Sequence, residues 1–252
     1  MIHIFVNKNS INNNKIKIVA NDDNYNHLIN VLRIKINEKV LCSIYPYASS
    51  FDYLCKIVNI YKESVVLQIC EEIENRELSI KINLYQGISK FDKLEFVIEK
   101  AVELGVNKII PLETKYCVAK LNDDKLEKKL DRFNKIAKSA AEQSKRSIVP
   151  SVEKPINFNN LLNSIESNNT LLFYENAKGV TYTKECIHKK INVNDIKEIN
   201  VIIGPEGGFS DEEISKAKEK NINIVSLGNR ILRTETAAVT ALSILMFEIE
   251  NK

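Results

Sequence analysis

Through the first 70 residues apolar positions either alternate with polar ones or gather into short β-branched runs, and groups of Asn, Asp and Ser divide them. Ile2 to Val6, Lys15 to Val19, Lys39 to Ile44, Tyr53 to Ile60 and Ser64 to Cys70 therefore read as strands. One stretch differs: within residues 26–33, Leu28, Val31 and Leu32 recur at helical spacing. Several short strands with a single helix predict a small β-barrel over residues 1–70. The acidic run 71–77, from Glu71 to Glu77, reads as a linker.

Beyond residue 78 the period lengthens. A strand from Ile80 to Tyr85 precedes a helix whose apolar face is Leu94, Val97, Ile98, Ala101 and Leu104, and Gly105 stops it. A strand from Lys108 to Leu112 and a charged helix from about Asp124 to Lys145 come next. Three further strands are expected at Thr170 to Tyr174, Asn200 to Ile203 and Ile222 to Leu227, with a short helix from Asp211 and a last one from Thr234 to Glu250. This alternation predicts an α/β domain over residues 78–252, built on a mainly parallel sheet covered on both faces. Ligands of such sheets bind beyond the carboxyl ends of the strands, which singles out the loops after Tyr174, Ile203 and Leu227.

Composition removes several classes of function. A chain of 252 residues that is 44% hydrophobic can bury a core unaided. Five Cys form no CxxC pair and three His have no metal-ligand spacing, so neither a metal nor a disulfide framework is expected. The longest apolar stretch, Ala237 to Ile249, is broken by Thr240, Ser243 and Glu248, and MIHIFVNKNS has no signal-peptide core; a cytoplasmic protein without membrane attachment is expected. The net charge of +3 sits wholly in residues 1–70, with 8 Lys and Arg against 5 Asp and Glu. That balance is compatible with a module that faces nucleic acid.

Two segments carry candidate chemistry. Residues 201–213, VIIGPEGGFSDEE, run from an apolar strand through a loop with three of the chain's seven Gly into a helix opened by a Ser210/Glu213 capping box. The glycines imply a close approach of backbone, at Gly207 to a ligand. The loop is neither GxxxxGK[ST] nor GxGxxG, and Pro205 removes a donor that a phosphate cradle would use; a tight turn without a ligand is the plain alternative. Residues 227–238, LGNRILRTETAA, place two Arg, two Thr and a Glu around Ile231 and Leu232 directly after a strand. An adenosine pocket needs apolar walls with a few polar groups. A buried loop anchored by ion pairs would read the same way.

GPEGGFS and LGNRILRTETA, in that order near the C-terminus, resemble the signature loops of the SPOUT superfamily as found in RsmE-type 16S rRNA uridine-N3 methyltransferases. The resemblance extends to Gln86 to Lys90, Lys93 to Glu95, Glu99 to Val106, Ala140 to Arg146, His27-Leu28 and Val31 to Arg33, and so covers nearly the whole chain. It implies a PUA-like barrel that binds RNA, followed by an α/β methyltransferase domain with a C-terminal trefoil knot. It also implies S-adenosylmethionine as methyl donor, 16S rRNA of the small ribosomal subunit as substrate, and a homodimer. Carried over by motif position, Leu172, Glu175, Gly204, Glu206, Gly207, Leu227, Gly228, Ile231, Leu232, Thr234 and Ala237 would form the donor pocket. Arg233 would stabilise the developing uridine anion, with Glu235 orienting its guanidinium or accepting the proton. His27, Arg33, Lys90 and Arg146 would contact RNA.

The chain departs from the family pattern where Tyr116-Cys117 replaces Arg-Ser, where Lys145 replaces a Gly before Arg146, and at Asn37-Glu38, where Gly and an acid are usual. Asn tolerates the left-handed backbone that such a Gly would supply. Two other readings remain at this point: a module that keeps the fold and binds RNA without transfer, and a ribose 2′-O methyltransferase of the same superfamily. Ribose methylases usually place an Asn and Arg pair where this chain has Gly87 to Lys90.

Overall fold

In a computed structural model, which describes residues 1–46, 51–119, 123–177, 179–192 and 196–251, the N-terminal strands form one six-stranded sheet. Its elements are β1 (Ile2–Val6), β2 (Ile11–Asn12), β3 (Lys15–Val19), β4 (Lys39–Ile44), β5 (Phe51–Tyr61) and β6 (Ser64–Glu74), in the order β1-β4-β5-β6-β3-β2. β1 and β4 are parallel and the other pairs antiparallel. Ile4, Ile16, Ile18, Val40, Cys42, Ile57 and Leu67 meet in a single core, so the alternation seen in the sequence turns every strand's apolar side inward and the sheet curls around it. The helix expected near residue 30 is a short α1 (Asp23–Asn26), capped by the Asp22 side chain, that continues as a π-turn through His27–Val31 and buries Leu28.

Two expectations for this part are corrected. Residues 71–74 are not a linker: they are the end of β6, with Glu72 paired to Tyr53 and Glu74 to Phe51. The first compact unit runs through Glu77 and includes Ala141–Val149. Arg146 is not free to meet RNA. Its side chain is 7% exposed and grips the Glu77 carboxylate, which also accepts the Ser147 N–H at 2.9 Å. Asp52 adds a second buried tie, accepting hydroxyl protons from Ser43 and Ser147 at 2.6 Å each. Burial lowers the His3 imidazole from its ordinary value, partly offset by its bond to the Glu142 carbonyl and by Asp52; its Nε2 lies 2.8 Å from Ser43 Oγ.

The second unit, Leu78–Ala140 with Pro150–Lys252, is α/β. In chain order it contains β7 (Lys81–Gly87), α2 (Phe91–Glu103), β8 (Val106–Glu113), α3 (Asp123–Ser144, of which the residues from Ala141 onward belong to the first unit), β9 (Ser151–Val152), β10 (Ile156–Asn157), α4 (Phe158–Ser164), β11 (Thr170–Phe173), α5 (Val180–Ile191), β12 (Glu198–Ile203), α6 (Asp211–Glu219), β13 (Asn223–Val225) and α7 (Thr234–Glu250). The strand order is β10-β8-β7-β12-β11-β13, with β9 also on β8, and every pairing is parallel. β7, β11 and β12 are buried almost end to end, as a sheet covered on both faces requires.

A polar seam crosses this apolar sheet at the amino ends of its strands. Asn107 donates to Asn83 at 3.0 Å, Asn83 to Asn200 at 3.1 Å, and Asn200 to Thr170 at 3.4 Å. Asn83, Asn200 and Thr170 are adjacent in register, so each satisfies its neighbour, and a shift of one strand would strand a buried amide. The seam thereby fixes which ends of β7, β12 and β11 lie side by side at the opposite edge. Lys145 and Asn37 both take left-handed backbone, φ 57° and 76°, which accounts for the glycines usual there.

Candidate functional site

Beyond the carboxyl ends of β11, β12 and β13 lies a cleft of about 620 Å³. Its walls are residues 173–175, 203–209, 226–228 and 230–234, from the three loops that the strand pattern singled out, with Lys93 from α2 and Ala237 from α7. Each loop is tied down by its own bonds. Ser210 caps α6 by accepting the Glu213 N–H while Glu213 accepts the Ser210 N–H at 2.9 Å, so the expected capping box is present. The other Glu213 oxygen accepts the Lys115 N–H at 2.9 Å, and Phe209 is buried against Phe158. On the third loop, Thr183 donates to the Ser226 carbonyl at 2.7 Å and accepts the Ser226 N–H at 3.0 Å, which pins the chain before Gly228 turns it at φ 125°.

The segments meet at one crowded point. A Cβ on Gly87 would lie 2.2 Å from Pro205 N and 2.5 Å from the Gly204 carbonyl carbon, so the end of β7 touches the loop backbone to backbone. Beside it, buried Gln86 donates to Thr234 Oγ1 at 2.8 Å, and Thr234 donates to the Gly204 carbonyl at 2.6 Å. These two bonds join β7, the loop after β12 and the first residue of α7.

Most residues assigned by motif line the cleft: Glu175, Gly204, Glu206, Gly207, Leu227, Gly228, Ile231, Leu232, Arg233, Thr234 and Ala237. Leu172 does not. It is fully buried in the layer of Leu112, Phe158 and Ile202, and the strand's next residues, Phe173 and Tyr174, reach the wall instead. Gly207 also differs from expectation, because a Cβ there would meet Tyr116 Cβ at 2.7 Å; the close approach is to the protein itself. Glu235 stands behind the wall and does not orient Arg233. Its Oε2 is 3.7 Å from Lys93 Nζ, whereas Arg233 is exposed and has no ion pair among the described residues. Lys93, Pro205, Phe209 and Arg230 line the cleft without having been assigned, although all four lie in quoted motifs: Lys93 in Lys93 to Glu95, Pro205 and Phe209 in GPEGGFS, and Arg230 in LGNRILRTETA.

Burial pushes the Glu206 carboxyl upward, but its own N–H, the Lys90 N–H at 3.3 Å and the Lys93 ammonium at 3.3 Å outweigh this and hold it below the usual carboxylate range. Of the RNA candidates, His27 and Arg33 are exposed on the first unit and Lys90 on the second.

Substitution at the crowded point tests whether the cleft depends on it. Gly87→Ala must push the loop at 204–205 away from β7, with a loss of about 3 kcal/mol or more, since the clash is with backbone. Gly179→Ala meets nothing within 4 Å and serves as the neutral control. Chemical denaturation of both variants reads the difference, and equal stability would mean that the contact is not needed.

Residues 76–246 match the family described as RNA methyltransferase domain. Ribosomal RNA small subunit methyltransferase E of Bacillus subtilis is 35% identical over 228 residues, 89% of this chain and 87% of the relative. A methyltransferase from Legionella pneumophila, solved with S-adenosylmethionine bound, is 30% identical with a TM-score of 0.81 over 98% of this chain and 97% of that one. The ribosomal RNA small subunit methyltransferase E of Neisseria gonorrhoeae, also bound to S-adenosylmethionine, is 27% identical with a TM-score of 0.80, covering 98% of each chain. With an α/β unit of this form and identity of that extent, the chain belongs to the ribosomal RNA small subunit methyltransferase E family.

Proposed function

We propose that the protein transfers a methyl group from S-adenosylmethionine to N3 of a uridine in 16S rRNA of the small ribosomal subunit, in the cytoplasm. The observation that carries this reading is the cleft, in a chain whose relatives hold that donor. Its volume is ordinary for a nucleoside-sized ligand, and its lining suits one: apolar Phe173, Leu227, Ile231 and Leu232 beside the backbone of 204–208 and 226–228. When bound, the donor supplies an already activated methyl group, so the protein's task is largely placement. Uracil N3 must lose its proton to become a nucleophile. Arg233, exposed at the cleft and unpaired among the described residues, is available to stabilise that anion.

The fold reading is finer than the sheet order alone. We read the first unit as a PUA-like barrel and the segment from Gly204 through α7 as a trefoil knot; the Gln86–Thr234–Gly204 bonds and the Gly87–Pro205 contact support the latter. A homodimer is supported by the apolar side chains that α7 and α2 leave exposed. Phe247 is 62% exposed and Phe96 46%, while Ala241, Leu242, Leu245 and Ile249 turn inward. Light scattering at micromolar concentration is expected to give twice the 28.8 kDa chain mass, and a monomer would overturn this part.

The reaction itself is read by nucleoside mass spectrometry of small-subunit rRNA after incubation with protein and donor. Base-methylated 3-methyluridine is the expected product. A 2′-O-methylated nucleoside would favour ribose chemistry, and RNA binding without any product would leave a binding module. Arg33→Ala should weaken RNA binding and flatten its dependence on log salt by about one unit, without altering donor affinity. An unchanged slope would move the RNA surface away from Arg33.

A further inference from the structure

Lys93 sits on the first turn of α2, and its ammonium meets two carboxylates from different parts of the chain. Glu206 Oε1, in the loop after β12, is 3.3 Å away, and Glu235 Oε2, in the first turn of α7, is 3.7 Å away. The three side chains are between 18% and 28% exposed. Glu235 Oε2 is buried and accepts no hydrogen bond, and the ammonium is its only ion-pair partner among the described residues. Glu206 has further help from the Lys90 N–H. The other charged groups nearby are arranged differently: Arg230, Arg233 and Glu175 line the cleft without ion pairs among the described residues, and Glu95, further along α2, pairs outward with Arg132.

Two carboxylates that share one ammonium lie within about 7 Å of each other, close enough to repel strongly once the cation is gone. One of them belongs to each of the two segments that form most of the cleft wall. We propose that Lys93 is a positioning residue of the donor site: by neutralising Glu206 and Glu235 together, it holds the loop after β12 and the start of α7 at the spacing that ligand binding needs. This rests on the reading of the cleft as a donor site. The depressed Glu206 carboxyl accords with it.

The role has a signature that loss of side-chain packing does not share, because a proton can replace the missing cation. In Lys93→Met the stem remains and the charge is lost. Calorimetry with S-adenosylhomocysteine at pH 7.5 should show affinity at least tenfold weaker than in the unaltered protein, with part of the loss recovered at pH 5.5 as one carboxylate takes up a proton. Lys93→Arg should bind within about threefold of the unaltered protein, since the cation is kept. Adding Glu235→Gln to Lys93→Met should restore most of the affinity by removing the repulsion. A readout without ligand accompanies these: lowering the pH from 7.5 to 5.5 should narrow the gap in melting temperature between Lys93→Met and the unaltered protein. Unchanged affinity in Lys93→Met would overturn the proposal, and so would a loss that neither acid nor Glu235→Gln recovers, which would make Lys93 a direct ligand contact or a packing residue. If the unaltered protein binds no S-adenosylhomocysteine, the donor reading fails, and a melting gap that does not narrow in acid separately removes the brace.

Discussion

The contact of Gly87 with Gly204 and Pro205 is the constraint from which the site follows. A parallel sheet naturally leaves a crevice beyond its carboxyl edge, but nothing in that rule makes the loops there hold still. Here β7 ends against the backbone of the loop after β12, with no room for even one carbon, and Gln86 and Thr234 carry the same junction through to α7. Three segments distant in sequence are thereby set at one spacing. The polar seam of Asn83, Asn200 and Thr170 does the complementary work at the other edge, because register fixed there decides where each strand stops.

Much of this was legible in the sequence, and the exceptions have identifiable causes. β1, β3, β4 and α7 match their predicted spans, since each has an unbroken period and clear flanks. α4 and α5 carry no comparable signal. FNNLLNS is short and rich in Asn, and VTYTKECIHKKI mixes β-branched and charged residues; both helices depend on burying Phe158, Leu161 and Leu162, or Cys186, Ile187 and Ile191. The acidic run was misread for a different reason. Charge density suggests solvent, and a polar run at the end of a long strand, like a carboxylate with a buried Arg as partner, depends on chain that is distant in sequence.

Site residues divide in the same way. Motif position located the loops, and nearly all of the residues assigned from GPEGG and LGNRILRTETA reach the cleft. Direction was harder to read. Leu172 was one residue too deep in its strand to reach the wall, and Glu235 faces Lys93 instead of Arg233. The glycines illustrate the limit well: the loop demands close approach at Gly207, yet the neighbour is Tyr116. Its companion, Cys117, closes the turn, its thiol 3.3 Å from the Thr114 N–H that it accepts. Tyr116 therefore buttresses the loop from outside, while the motif residues form the cleft wall.

The charged groups around the cleft fall into two sets. Lys93 sets one cation against two carboxylates, the exposed Glu206 and the half-buried Glu235. The other set, Arg230 and Arg233 with Glu175, is exposed throughout and sets two cations against one carboxylate. A sulfonium donor carries positive charge where methyl transfer begins, whereas RNA presents phosphates and, at the reacting base, a developing anion. The two sets carry excesses of opposite sign, which the donor and the RNA of the proposed reaction would each complement. The negative excess of the first set is tolerable because Lys93 is shared between the two carboxylates, so in the proposed role the ammonium that sets the spacing of the loops also offsets their charge.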